Sequence, residues 1–316
     1  MPVPIPDSPL RYVLVYVFEM PGGVVLVDAG WPAQESWDAL VAGLAETGHG
    51  IADVRGVLVT HMHPDHHGLA GRVREASGAW IGMHPGEAEV LTNRPEPGWL
   101  AERDRQWLTE RGAGARDLAE LARFPLDAGI LESLVRPDRL VQDGDHPLAP
   151  TWQLRAVWTP GHTPGHLCFH DEPSGLLLSG DHVLPRISPN IAAQGGLADP
   201  LGDYLDSLDR VSALPHEEVL PAHEYRFAGL AERVAQLRRH HEARLAEIER
   251  LTAAEPGSST WALAAGLTWS RSWAQTQGPM RRGAVSETLA HLVVLQRRGR
   301  VVNTGDVVDR WVLAGG

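Results

Sequence analysis

Val57-Leu58-Val59-Thr60-His61-Met62-His63-Pro64-Asp65-His66-His67 is the stretch that decides the reading of this chain. Val57 to Thr60 is a short, continuous apolar and β-branched run, the signature of a strand buried on both faces. It leads directly into His61, His63, Asp65 and His66. Such a cluster sits on the loop at a strand's C-terminal end, where the strand fixes position and the loop backbone can bend around an ion. Taken alone, the same residues could be a polar loop of hydrogen-bonded histidines.

Three further segments weigh against that plainer account. Thr159-Pro160-Gly161-His162-Thr163-Pro164-Gly165-His166 follows the apolar run Trp152 to Trp158. Ser179-Gly180-Asp181-His182 follows Leu176 to Leu178, and Pro221-Ala222-His223-Glu224 follows Glu218 to Leu220. Four strand ends, each offering imidazole or carboxylate, have the donor types of a metal site.

Other elements fill in the α/β pattern. Arg11 to Phe18 and Val24 to Val27 read as strands joined through Pro21-Gly22-Gly23, the second ending in Asp28-Ala29-Gly30. Ala79 to Met83 and Leu167 to His170 are also strands, while Trp37 to Glu46 and Leu69 to Ser77 have helical spacing. Residues 86–139 are rich in helix formers, broken near Pro95, Pro97 and Pro125, and read as a helical insertion. Beyond Ala231 come a long charged helix to Thr252, short helices at Trp261 to Leu267 and Val285 to Arg297, and a hairpin. Its strands, Arg300 to Val302 and Val307 to Leu313, are joined through Asn303-Thr304-Gly305-Asp306, an order that suggests a winged helix. The division expected is 1–228 for the α/β domain, with the insertion at about 86–139, and 229–316 for the C-terminal unit.

Composition sets outer limits. With 316 residues and 43% hydrophobic content the chain can bury a substantial core in two units. All 28 basic residues are arginine, and the net charge of −12 argues against nucleic acid as the default partner. The segment from His240 onward carries +2 against −14 for the rest, a weak basic bias. Neither a bilayer-spanning run nor a signal peptide is expected. The single cysteine, Cys168, excludes an internal disulfide and fits a reducing cytoplasm.

Over most of residues 1–228, these motifs in this order resemble the metallo-β-lactamase superfamily, in particular its lactamase-β-2-like and glyoxalase II-like members. The resemblance implies an αββα sandwich carrying a helical insertion and a C-terminal winged-helix-like domain. It also implies two divalent metal ions, zinc first, with iron or manganese suited to the oxygen-bearing site. His61, His63 and His162 would ligate the first metal, and Asp65, His66 and His223 the second. Asp181 would bridge both, and Asp28 would orient a ligand histidine from behind. The implied chemistry is hydrolysis by a metal-bridging hydroxide, oriented by Asp65. His67, His166 and His182 lie near the ligands; a lone histidine is more often structural than a proton carrier. Cys168, within a strand, reads as a small buried residue.

Departures narrow the substrate. No tyrosine follows Asp181 closely, unlike the acyl-homoserine lactonases. His63 stands where flavo-diiron proteins have glutamate, and a full second ligand set departs from persulfide dioxygenases. The basic residues with which glyoxalase II binds glutathione find no match. A small ester or thioester is therefore the expected substrate, with insertion helices restricting the cleft and the tail serving packing or a homodimer. The alternative is an endoribonuclease or phosphodiesterase using Arg281, Arg282, Arg297, Arg298 and Arg300 on phosphates. A non-enzymatic DNA-binding metalloprotein ranks behind both.

Overall fold

A computed structural model describes residues 1–93, 97–124, 128–193 and 197–315. The chain begins with strands β1 (Pro2–Pro4), β2 (Tyr12–Leu14), β3 (Tyr16–Met20) and β4 (Gly23–Val27), then helix α1 (Gln34–Glu46) and strand β5 (Val54–Leu58). The helical turn α2 (Pro64–His67), α3 (Ala70–Ser77), β6 (Trp80–Met83) and α4 (Pro85–Thr92) follow. Next come α5 (Pro97–Glu110), α6 (Ala115–Leu121), α7 (Ala128–Ser133), β7 (Arg139–Leu140), β8 (Leu154–Trp158), β9 (Leu167–Asp171) and β10 (Leu176–Gly180). The remainder is α8 (Pro200–Ser212), β11 (Glu218–Pro221), α9 (Leu230–Ala254), α10 (Thr260–Gly266), α11 (Gly278–Arg297), β12 (Val301–Asn303) and β13 (Trp311–Leu313).

Two compact units result. The first comprises Met1–Arg94, Asp127–Pro189 and Tyr204–Val234; the second comprises Pro95–Leu126, Asn190–Asp203 and Ala235–Gly316. Part of the 86–139 segment thus groups with the C-terminal stretch, and unit boundaries fall within α8 and α9. The breaks expected near Pro95 and Pro125 lie outside the described residues.

The first unit holds a five-stranded sheet, β3-β4-β5-β6-β7, and a four-stranded sheet, β11-β10-β9-β8. β4 to β7 run parallel, and β8, β10 and β11 share one direction, with β9 opposed. Successive residues of β4 serve opposite faces. Val24 and Leu26 join α1's Leu40 and Leu44 and α3's Val73 in an outer core. Val25 and Val27 face Leu154, Leu167, Phe169 and Leu178 of the other sheet. That two-sided burial is why the run reads as continuously apolar. With α8 beside the four-stranded sheet, its Ser207 hydroxyl donating to Pro160 O at 2.9 Å, the order is αββα, as the resemblance implies.

Arg11 to Phe18, expected as one strand, is two. At Val15 the chain leaves β1 and turns to pair with β4, and Leu14 N instead donates to Ala222 O at 2.7 Å. In the second unit, Leu108, Leu121, Trp261, Ala264 and Val285 form a separate core. Its hairpin is shorter than expected. Asn303 Oδ1 accepts from Gly305 N at 3.0 Å and Arg310 N at 2.9 Å, so the side chain replaces the ladder and Val307 is left 75% exposed. Among the described residues no helix is long and apolar enough to cross a membrane.

Candidate metal centre

Donor residues reach the same rim because the strands that precede them, β5, β8, β10 and β11, all end there. After β5 the chain passes Thr60 and His61 and then forms α2, with His63 in extended conformation as its N-cap and Pro64 at the first helical position. One helical turn is enough to bring Asp65 and His66 round to the face that His61 occupies. His162 lies on the loop after β8, closed by Thr159 N donating to His166 O at 2.9 Å. Asp181 follows Gly180, whose φ is +51° and where a Cβ would stand 2.6 Å from His166 Nε2, so glycine is required. His223 follows β11.

The geometry forms two clusters. In the first, His61 Nε2 lies 2.9 Å from His63 Nδ1 and 3.2 Å from His162 Nε2, and the last two nitrogens are 3.0 Å apart. Protons cannot satisfy that triangle. Each nitrogen either carries hydrogen or does not, so at least one pair is donor against donor or acceptor against acceptor. One cation satisfies all three lone pairs, and tetrahedral zinc places its nitrogens about 3.3 Å apart. In the second, His223 Nε2 lies 3.3 Å from both Asp65 Oδ2 and Asp181 Oδ1, and His66 Nε2 lies 3.6 and 3.5 Å from them. His66 Nε2, His223 Nε2 and Asp181 Oδ1 are buried with no hydrogen-bond partner. Three such groups aimed at one space fit a cation. Asp181 joins the clusters, because its Oδ2 faces His162 Nε2 at 3.6 Å.

Electrostatics separate the two sets. Burial, reinforced by neighbouring imidazoles, holds His61 well below its ordinary pKa, and burial holds His63 at about 3; both therefore keep their lone pairs. Burial also pushes His66 down, but Asp65, Asp181 and Asp28 outweigh it and hold that imidazole well above 6.5. His223 behaves alike: burial is overcome by Asp181 and Asp65, and the value rises to about 10. For Asp65 and Asp181, burial opposes ionisation, yet His66 and His223 keep both carboxyls below the usual range.

Supporting contacts fix which nitrogen faces inward. Asp28, at the end of β4 with φ +63°, accepts from His66 Nδ1 at 2.8 Å, from Thr60 N at 2.8 Å and from the Thr60 hydroxyl at 3.0 Å. Thr60's hydroxyl in turn accepts from His61 Nδ1 at 3.1 Å. One carboxylate thus sets the tautomer of a histidine in each cluster. His223 Nδ1 donates to Tyr12 O at 2.9 Å. His166 is occupied at both nitrogens, accepting from Asp181 N at 3.2 Å and donating to the Thr159 hydroxyl at 2.8 Å. It therefore holds Asp181 in place and has no nitrogen left for proton transfer. His67 is buried in α2, and His182 is buried against Tyr204, its ring held at about 3 by desolvation. Cys168 is buried on β9, its thiol pushed up to about 12.

Two glutamates went unread in the sequence. Glu87 of α4 is fully buried and accepts from the backbone N–H groups of Met62 and Gly165. Glu224, with φ +71°, accepts from Arg186 N at 2.9 Å and Arg186 Nε at 2.8 Å, tying the loop after Asp181 to the one after His223. Only the positive φ, unusual outside glycine, marks such a residue, and no sequence pattern announces it.

An αββα sandwich bearing these two clusters on one rim defines a metal-binding scaffold of the metallo-β-lactamase type. Residues 8–223 match the family described as the metallo-beta-lactamase superfamily, and the chain belongs to it. It is 28% identical over 227 residues to the probable metallo-hydrolase YqjP of Bacillus subtilis, covering 67% of this chain and 66% of that protein. It is 31% identical over 228 residues to the acyl-coenzyme A thioesterase MBLAC2 of Gallus gallus, covering 67% of this chain and 72% of that one. The crystal structure of the metallo-beta-lactamase family protein TTHA1429 from Thermus thermophilus superposes with a TM-score of 0.82 at 31% identity, covering 99% and 97% of the two chains.

Proposed function

We propose that the protein is a dinuclear metal-dependent hydrolase of small esters or thioesters. The observation that carries this reading is Asp181, whose two oxygens face the two donor clusters. His61, His63 and His162 would hold one divalent ion, Asp65, His66 and His223 the other, with Asp181 shared. Zinc suits both sets, and the two carboxylates of the second also suit iron or manganese. When bound, such ions supply Lewis acidity, making a water more acidic and an acyl carbonyl more electrophilic. Asp65, its side chain 14% exposed, would orient a water for attack, while Asp28 and Tyr12 would keep the histidine lone pairs turned inward.

The thioester preference rests on the likeness to a protein named as an acyl-coenzyme A thioesterase. The nuclease alternative is less favoured, because each arginine proposed for phosphates already faces a carboxylate. Arg281 pairs with Glu120, Arg282 with Asp104, Arg297 with Asp199, Arg298 with Glu242 and Arg300 with Glu249, at 2.8–3.0 Å. Each guanidinium has its carboxylate partner within its own unit, Arg281 and Arg282 largely buried and Arg297, Arg298 and Arg300 at the surface. The winged-helix-like reading of α9 to β13 is kept as a packing or self-association unit, and the lone cysteine as a mark of a reducing compartment.

Metal analysis of purified protein, followed by thiol release from acyl-coenzyme A analogues and a parallel RNA-cleavage assay, tests the proposal. Two equivalents of metal and thiol release are expected, with both metal content and turnover lost in Asp181→Asn. RNA cleavage without thiol release, or wild-type turnover by the variant, would overturn it.

A further inference from the structure

We propose that Glu87 is a positioning residue that sets the spacing of the three-imidazole cluster by fastening both loops that carry it to one carboxylate. The inference rests on the metal reading above. Oε2 accepts from Met62 N at 2.7 Å and Oε1 from Gly165 N at 2.6 Å. Met62 lies between His61 and His63, and Gly165 lies three residues beyond His162. Each oxygen therefore fixes one loop, and the distance between the oxygens of a single rigid group sets how far apart the loops stand.

The surrounding structure is built for this contact. Glu87 sits in the first turn of α4, where the helix dipole favours a negative charge. At Gly165 a Cβ would lie 2.6 Å from Glu87 N and 2.8 Å from its Cγ, so only glycine lets the β8 loop approach the helix start. A fully buried carboxylate costs free energy to desolvate, and an apolar residue would fill the space more cheaply. What the carboxylate provides is two acceptors facing two backbone donors. Glutamine cannot reproduce it, because its amide nitrogen would meet one of the N–H groups head on.

Cobalt(II) titration with a competing chelator tests the assignment, since visible d–d bands distinguish a nitrogen-rich four-coordinate site from an oxygen-rich one. Glu87→Gln is expected to weaken the three-imidazole cluster by about 10–100-fold and to leave the Asp65–His66–His223 cluster within about twofold. In the metal-free variant, amide exchange at Met62 or Gly165 should be faster than in wild type. Gly165→Ala, which pushes the loop off Glu87 sterically, should reproduce the selective loss should Glu87→Gln fold poorly. Unchanged affinity in both variants, or equal weakening of both clusters with a lowered Tm, would overturn the role of Glu87 and leave the metal reading standing. Wild-type protein that takes up no cobalt at the three imidazoles would sink that reading, and this inference with it.

Discussion

Replacing Asp28 by asparagine gives a sharp test of how the cage is kept ready. Asparagine tolerates the left-handed backbone that Asp28 adopts at φ +63°, so the fold should survive. Its amide can keep the oxygen toward Thr60 N, which leaves the NH2 facing His66 Nδ1. When a cation is to bind, that nitrogen must then accept, which keeps the ring proton on Nε2 and removes the lone pair the second cluster needs. In the other orientation the NH2 meets Thr60 N–H. Freeing the Nε2 lone pair for a cation therefore forces one buried donor to face another in either orientation, costing about 1–3 kcal/mol. At about 1.4 kcal/mol per tenfold this weakens metal binding at the Asp65–His66–His223 cluster by roughly 5–150-fold. The three-imidazole cluster, reached only through the Thr60 hydroxyl, should change less. Chelator competition at pH 7.5, with circular dichroism confirming the fold, measures both. Wild-type affinity at the second cluster in a folded Asp28→Asn protein would refute the tautomer argument.

Two other expectations follow from packing and burial. Phe169, with no exposed surface between the two sheets, should cost about 3–5 kcal/mol when cut to alanine; a loss under about 1 kcal/mol by urea denaturation would contradict an inter-sheet core there. In the second unit, His241 Nδ1 and His291 Nε2 are 3.1 Å apart and buried, and burial holds the pair at about 2 and about 4. An unfolded chain protonates both near 6.5, so stability is retained above that pH and declines as pH falls from about 6.5 toward 4, by at most about 1.4 kcal/mol per pH unit per group. Thermal unfolding of wild type and His291→Gln at pH 7.5 and 5 checks this; equal pH slopes would dispose of it.

What could be read from the sequence was whatever local pattern encodes. The strand ends were legible because apolar runs stop at imidazole or carboxylate, and the seven donor candidates do converge in space. Glu87 was not, because it stands among helix formers and its partners are backbone N–H groups, which are alike in every residue. Helix α8 was missed because Pro200 and Gly202 look like a turn, although Leu201, Tyr204, Leu205, Leu208 and Val211 have helical spacing and are buried. The arginines of the tail looked free because their acids lie far off in the chain, Asp104 being 178 residues from Arg282. Side-chain pairing at that separation leaves no periodic trace.

Placing each donor just beyond the end of a strand, with His61 and His162 101 positions apart and His223 bound to Tyr12 across 211, orders events in time. Loop-closure entropy for both sheets must be met before any two clusters of lone pairs confront each other. A cation that needs donors from all four strand ends would therefore bind after the rate-limiting step and leave refolding speed almost untouched. Such a cation would act by slowing the escape from the native state, so the chain's kinetic lifetime would track the metal supply.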